Sequence, residues 1–137
     1  MRTMKVKRIR NTLGNEKGQN LVEFALVVPM LLLLVFGIAE FGRAWMTQNI
    51  LTGAAREAVR ILAVPPGIIT PQDRADNVLK SAGITTATVA VNDPGVAFGP
   101  VSVTINYNFP VVIVGFIPGL NSSTFPLSST TTMRREF

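Results

Sequence analysis

Residues 18–43, GQNLVEFALVVPMLLLLVFGIAEFGR, decide the fold of this chain of 137 residues. The sixteen residues from 24 to 39 carry no charged or polar side chain, and the wider, largely apolar run from 21 to 41 has 21 residues. At a rise of ~1.5 Å per residue, a helix of that length spans about 30 Å, the hydrocarbon thickness of a bilayer. The stretch therefore predicts a single transmembrane helix, and we expect the lipid bilayer as one of its partners.

The net charge of +5 lies before the predicted helix. Residues 1–18 hold six basic residues and one acid, whereas the remainder of the chain holds seven of each. Because the cytoplasmic flanks of membrane helices are rich in Lys and Arg, we expect this basic leader in the cytoplasm and the chain after Arg43 outside it. A basic patch without interleaved aromatic residues, beside an apolar helix, indicates membrane topology, and we expect no nucleic-acid partner.

The helix is predicted to continue beyond the membrane. Trp45 suits the headgroup layer that follows the apolar run. Apolar residues then recur three and four positions apart, which is typical of an amphipathic helix with one face against a domain core. Pro65, Pro66 and Gly67 are expected to end this helix. The residues of the apolar stripe are Leu51, Ala54, Ala55, Ala58, Val59 and Leu62.

The sequence after the long helix predicts one short helix. Thr70 is a typical N-cap, Pro71 suits the first helical position, and Asp73 completes an acidic variant of the capping box. The helix is expected to run to about Ser81, with Gly83 as its stop.

Alternating side chains predict an antiparallel sheet in the last part of the chain. The clearest strand is 101–109, in which the odd-numbered residues are apolar and the even-numbered ones polar. Residues 87–91 and about 125–133 predict two further strands, with a turn at 92–95. The apolar run 111–117 is too short to cross a bilayer and is either a strand or an apolar loop at an interface.

The predicted fold is therefore α+β. A long N-terminal transmembrane helix continues into an amphipathic helix, which packs against a short helix and a small antiparallel sheet. The exported part can form a core only if that core includes the amphipathic half of the long helix. We expect four segments: a basic cytoplasmic leader at 1–18, the transmembrane helix at 19–43, its amphipathic extension at 44–64 and an extracytoplasmic α+β head at 65–137.

Catalytic, cofactor and metal sites find little support in the sequence. The chain has no histidine and no cysteine, and Lys80 is the only lysine after Gly18. Asp73 and Asp76 suit the first turn of the short helix, where negative charge matches the helix dipole. No phosphate-binding glycine loop is present. We therefore expect no enzymatic activity and no cofactor.

The start of the apolar helix carries a family resemblance. Gly18, followed by Glu23 at the fifth place and by Phe24, resembles the processing site of type IV-like prepilins, and the Glu-Phe pair is similar to the Glu-Tyr pair of Flp-type prepilins. More widely, residues 18–60 resemble the TadE/TadG-like family of tight-adherence (Tad) systems. The residues that carry this resemblance are Gly18-Gln19, Val22-Glu23-Phe24-Ala25, Pro29, Leu31 to Leu34, Gly37, Glu40-Phe41-Gly42-Arg43 and Ala54-Ala55-Arg56-Glu57-Ala58-Val59-Arg60.

The resemblance implies a pilin-like fold and a TadE-like minor pilin or pseudopilin of the bacterial cytoplasmic (inner) membrane, acting in assembly of a Tad/Flp-type pilus or secretion apparatus. A prepilin peptidase would cut after Gly18, which leaves Gln19 as the new N-terminus ahead of Glu23 and Phe24. Glu23 would then pair with that amine on a neighbouring pilin-like subunit; alternatively, its carboxylate extends into the headgroup layer. The alternative function is an uncleaved bitopic scaffold or binding protein with an extracytoplasmic head.

Further candidates for assembly contacts lie along the same helix. Glu40 and Arg43 are either an ion pair between residues i and i+3 at the membrane boundary or contacts to a partner helix. Pro29 and Gly37 are helix-weakening residues that membrane helices tolerate, and small residues favour close helix packing. Three charged residues further along are either a solvated helix face or a docking surface: Arg56, Glu57 and Arg60.

Overall fold

A computed structural model describes residues 16–112, 114 and 124–137. Within these residues the elements are α1 (Glu16–Ala63), α2 (Pro71–Ser81), β1 (Thr88–Asn92), β2 (Pro100–Pro110) and β3 (Thr124–Arg134). A long apolar helix, a short helix and a three-stranded antiparallel sheet confirm the predicted α+β class. The leader up to residue 15, the loop at 118–123 and most of the ambiguous run 111–117 lie outside the described residues.

Helix α1 is one continuous helix of 48 residues with Pro29 inside it. It ends at Ala63, one residue before the predicted Pro-Pro-Gly stop that starts at Pro65. The chain divides into two compact units, whose boundary in the sequence lies within α1 between Phe36 and Gly37.

In the first unit, most large apolar side chains of α1 are exposed. An 18-residue window of this helix has a mean hydropathy of 2.7, and none of that window is buried. Helix α1 is therefore long and apolar enough to cross a membrane, which suggests a single-pass membrane protein.

The core of the second unit lies between α1, α2 and β2. The predicted apolar stripe of α1 is the helical side of this core, since Leu51 and Val59 are fully buried and Leu62 packs against the same cluster. From β2, Val103 and Ile105 are fully buried, which confirms the predicted alternation. The remaining members of the cluster are Ala54, Ala55, Ala58, Ala63, Ala75, Leu79, Ile84 and Val101.

Helix α2 begins and ends as its sequence predicts. The Thr70 hydroxyl oxygen accepts a hydrogen bond from the Asp73 backbone N–H at 3.1 Å, and Pro71 is the first helical residue. Gly83 follows the helix with φ +77°, a conformation that glycine adopts without the steric cost of a Cβ.

The sheet has the strand order β1-β2-β3, with both pairs antiparallel. Strand β3 runs alongside α1 in the same direction. The Gln48 side-chain amide donates to the Ser128 carbonyl at 2.8 Å, and the Glu136 N–H donates to the Ala63 carbonyl at 2.9 Å. Strand β2, which is antiparallel to β3, runs in the opposite direction to α1. The head can therefore be described by its two ends along α1.

We call these ends the Glu40 end and the Ala63 end, after the α1 residues beside them. At the Glu40 end β2 finishes and β3 begins, with Pro110 paired to Thr124. At the Ala63 end Pro100 is paired to Arg134. The last residue of β2 and the first residue of β3 therefore both lie at the Glu40 end.

Candidate functional site

The residues of the predicted processing site lie in the first turns of α1. The helix begins at Glu16, so Gly18 is already helical, and Gln19 and Glu23 follow it four residues apart. Residues at that spacing share one face of a helix. Gln19, Glu23 and Phe24 are all exposed, so the structure leaves this face open.

The Glu23 carboxylate is the most unusual group of this segment. Among the described residues it has no hydrogen-bond or ion-pair partner, although apolar side chains flank it on both sides. A lone ionised carboxylate in hydrocarbon costs several kcal/mol, because its hydration is lost without compensation. If this part of α1 lies in a membrane, Glu23 therefore needs either the headgroup layer or a cationic partner from another molecule.

Pro29 and Gly37 lie further along the helix. Pro29 is exposed within α1. Gly37 is also exposed, and a Cβ built on it meets no atom within 4 Å. Packing within the described part of the chain therefore does not explain the glycine at this position.

Glu40 and Arg43 do form the i,i+3 ion pair that their spacing indicates, with 2.6 Å between Arg43 Nη1 and Glu40 Oε2. The other carboxylate oxygen, Oε1, accepts a hydrogen bond of 2.7 Å from the backbone N–H of Val112, two residues after the end of β2. The Glu40 side chain is only 15% exposed, against 49% for Arg43, whose guanidinium lies 5.0 Å from the centre of the Phe109 ring. Glu40 thus links α1 by a hydrogen bond to the chain that follows β2.

Sequence reasoning missed the contact of Glu40 with Val112. The two residues are 72 positions apart, and a backbone N–H leaves no side-chain signature in a sequence. The only available signal was the presence of a carboxylate inside an apolar run, which indicates a satisfied partner without identifying it.

The three charged residues of the helix extension divide into two kinds. Glu57 accepts a hydrogen bond of 3.1 Å from Arg74 of α2, and both side chains are more than 40% exposed. Arg56 and Arg60 are exposed and make no ion pair with any residue in the described ranges. Since they are four residues apart on one helix, these two arginines form a basic face directed away from the core.

The acidic residues of the head take part in local structure. Asp73 accepts a hydrogen bond from the Thr70 hydroxyl at 2.7 Å, next to the N-terminus of α2. Asp93 accepts from the Gly95 N–H at 2.9 Å and forms an ion pair with Arg135. Within the part of the chain that the structure describes, no group of three or more Asp, Glu, His or Cys side chains could hold a metal ion.

An apolar groove of about 490 Å³ lies at the Glu40 end of the second unit. One wall is α1 and the other is formed by the ends of β2 and β3. Sequence reasoning missed this groove, because its walls come from segments more than sixty residues apart. Its apolar lining includes Gly37, Phe41, Ala44, Phe109, Phe125 and Leu127.

Comparison with known proteins finds a family similarity within α1 alone. No curated protein and no solved structure matches the chain. The family model described as "TadE-like protein" matches residues 18–60, which is the segment from the predicted processing site to the exposed Arg60. This match confirms the resemblance predicted from the sequence: over residues 18–60 the chain is similar to the TadE-like family.

Proposed function

We propose that this protein is a TadE-like minor pilin or pseudopilin that acts in assembly of a Tad/Flp-type pilus or secretion apparatus. The observation that carries the proposal is the position of the family match. Residues 18–60 fall on α1 and include the apolar segment that no other described part of the chain covers. A helix with this surface is suited to lipid and to the helices of neighbouring subunits.

The membrane topology in this proposal follows from charge. The basic leader at 1–18 stays in the cytoplasm, residues 19–43 cross the bacterial cytoplasmic membrane, and the extension at 44–64 joins the helix to an extracytoplasmic head at 65–137. The excess of Lys and Arg before the helix supports this direction. The TadE-like family is generally non-enzymatic, and we propose a role by association for this chain as well.

Processing is the second part of the proposal. A prepilin peptidase removes the leader by cutting after Gly18, and the mature chain begins at Gln19. The cut changes the electrostatics of the first turns, because it replaces a neutral peptide group with a positive amine close to Glu23. Exposure of Gln19, Glu23 and Phe24 on α1 supports access to this region.

Assembly is the third part. The Glu23 carboxylate of one subunit pairs with the Gln19 amine of a neighbouring pilin-like subunit, so that neither charge remains alone in the bilayer. In a low-dielectric environment an unpaired charge is costly, and misplacement of the two helices by one turn would leave both groups unpaired. The pair would therefore select the register of the helices. The exposed face of Arg56 and Arg60 is available for a second contact outside the membrane.

The substitution Glu23→Ala tests this function. We expect the variant to insert into the membrane at the normal level, because removal of a carboxylate makes the helix more apolar. We expect assembly of the pilus or secretion apparatus to be impaired. Membrane fractionation measures insertion, and counts of surface filaments or secreted cargo measure assembly.

Two further variants sharpen this test. Glu23→Gln keeps the size and polarity of the side chain but removes its charge, so it is expected to impair assembly as well. Asn20→Ala removes an exposed polar side chain one turn away and is expected to assemble normally. Normal assembly in both Glu23 variants would refute the charge pair and leave Glu23 as a residue of the headgroup layer.

A further inference from the structure

At its Glu40 end, the head exposes large apolar side chains on both α1 and the sheet side. On α1, Phe41 and Trp45 are exposed, with their ring centres 6.2 Å apart. On the sheet side, Val112 and Phe125 are more than half exposed. Because Val112 is hydrogen-bonded to Glu40, the sheet side and the helix side share one height along α1.

The charged side chains of the sheet region lie at the other end of the head. The forty residues from 94 to 133, which contain β2 and most of β3, include no Asp, Glu, Lys or Arg. Charged groups of the sheet region occur at the Ala63 end, where Arg134 follows this stretch and Asp93 pairs with Arg135. The sheet side of the head is therefore charged at the Ala63 end and bears no charge at the Glu40 end, where the paired Glu40 and Arg43 belong to α1.

The groove at the Glu40 end is lined mostly by apolar side chains. It begins beside Gly37, inside the apolar run of α1, and reaches Gln48, which is hydrogen-bonded to β3. Aromatic rings of Phe41, Phe109 and Phe125 form much of its lining. Trp45 also lines the groove and the Arg43 guanidinium lies over the Phe109 ring; Trp and Arg are typical of the interface between hydrocarbon and headgroups.

We infer that the Glu40 end of the head is embedded in the headgroup and upper acyl layer of the bilayer, and that the groove there holds a phospholipid acyl chain. The inference rests on the membrane insertion of α1 in the proposed function. Lipid is the occupant that fits, because the exposed apolar side chains of Phe41 and Trp45 line the groove on its α1 side and the sheet wall bears no charge.

Tryptophan fluorescence in vesicles tests this placement. The full chain is reconstituted in phosphatidylcholine vesicles whose acyl chains carry bromine near the headgroup, since bromine quenches tryptophan only at close range. Trp45 is the only tryptophan, so the unaltered protein reports on α1 itself. Two double variants, Trp45→Phe/Phe125→Trp and Trp45→Phe/Phe98→Trp, report on the Glu40 end and the Ala63 end respectively.

The two reporter positions are a matched pair. Phe125 is 58% exposed and Phe98 is 59% exposed, so the tryptophans have equal access to solvent in the absence of lipid. We expect brominated lipid to quench most of the emission from Phe125→Trp and to shift that emission to the blue. We expect the emission from Phe98→Trp to stay red-shifted, unaffected by bromine and open to quenching by aqueous iodide.

The outcomes separate this inference from the proposed function. If Trp45 is quenched by brominated lipid while Phe125→Trp behaves like Phe98→Trp, α1 is inserted but the head stands clear of the membrane, and the inference fails alone. If Trp45 is not quenched, insertion and inference fail together. If quenching of Phe125→Trp appears only when the protein is diluted in lipid, a second copy of the chain covers the groove and lipid is not its occupant.

Discussion

Replacing Glu40 with alanine should release Val112, two residues after β2, from α1. The Glu40 carboxylate makes two contacts, one to the Val112 N–H at 2.7 Å and one to Arg43 at 2.6 Å. The substitution removes both and leaves the Val112 N–H without its acceptor. Glu40→Gln keeps an acceptor for this N–H and removes only the charge, so the two variants separate the hydrogen bond from the ion pair.

The free-energy cost of losing each Glu40 contact depends on how exposed its partners are. A hydrogen bond to a charged group contributes ~1.5–3 kcal/mol, and the lower end of that range applies because Val112 is more than half exposed. The ion pair adds only ~0.5 kcal/mol, because Arg43 is half exposed and solvent screens it. We therefore expect Glu40→Ala to cost about 2 kcal/mol and Glu40→Gln about 1 kcal/mol.

Hydrogen exchange of the Val112 amide measures this effect directly. A loss of about 2 kcal/mol corresponds to an increase of roughly 30-fold in the exchange rate for Glu40→Ala. The control is Glu57→Ala, another carboxylate of α1, whose pair with Arg74 is more than 40% exposed on both sides and is worth ~0.3 kcal/mol. Unchanged exchange at Val112 in Glu40→Ala would show that Glu40 does not hold Val112 against α1, and would refute the reasoning.

Two further predictions concern the core and the helix surface. Leu51→Ala empties a fully buried position and should lower the free energy of unfolding of the head by ~2–5 kcal/mol in denaturant titrations. Asn49 is exposed, so Asn49→Ala should change that free energy by less than ~0.5 kcal/mol. Equal unfolding midpoints for the two variants would contradict the assigned core. Gly37→Ala should fold and insert normally, because a Cβ there meets nothing within 4 Å, yet reduce assembly if a neighbouring helix packs at this glycine. Gly42→Ala, equally unobstructed, is its control, and full assembly with both alanines would remove Gly37 from the interface.

The parts of the fold that depend on local periodicity could be predicted from the sequence. The apolar stripe that begins at Leu51 became the helical side of the core, since spacing alone decides which face of a helix is apolar. The alternation in 101–109 placed β2 to within one residue, and Thr70 with Pro71 placed the start of α2. In each case the signal and the structure involve the same few neighbouring residues.

Contacts between distant segments could not be predicted in this way. The hydrogen bond from Val112 to Glu40 and the pair of Arg74 with Glu57 depend on how the sheet and α2 are placed against α1. The groove exists only because β2 ends and β3 begins beside Gly37 and Phe41. Periodicity identifies the apolar face of each element but not which elements meet, so this part of the candidate site had to come from the structure.

The N-terminus of the mature protein is the most direct test of the central proposal. The full chain is produced with and without a prepilin peptidase, and intact mass with N-terminal sequencing is measured on the membrane fraction and on the assembled apparatus. We expect the peptidase to remove residues 1–18, so that the mature chain begins at Gln19, and we expect Gly18→Ala to block this step. A leader still present on the protein in a functional assembly would contradict the proposal.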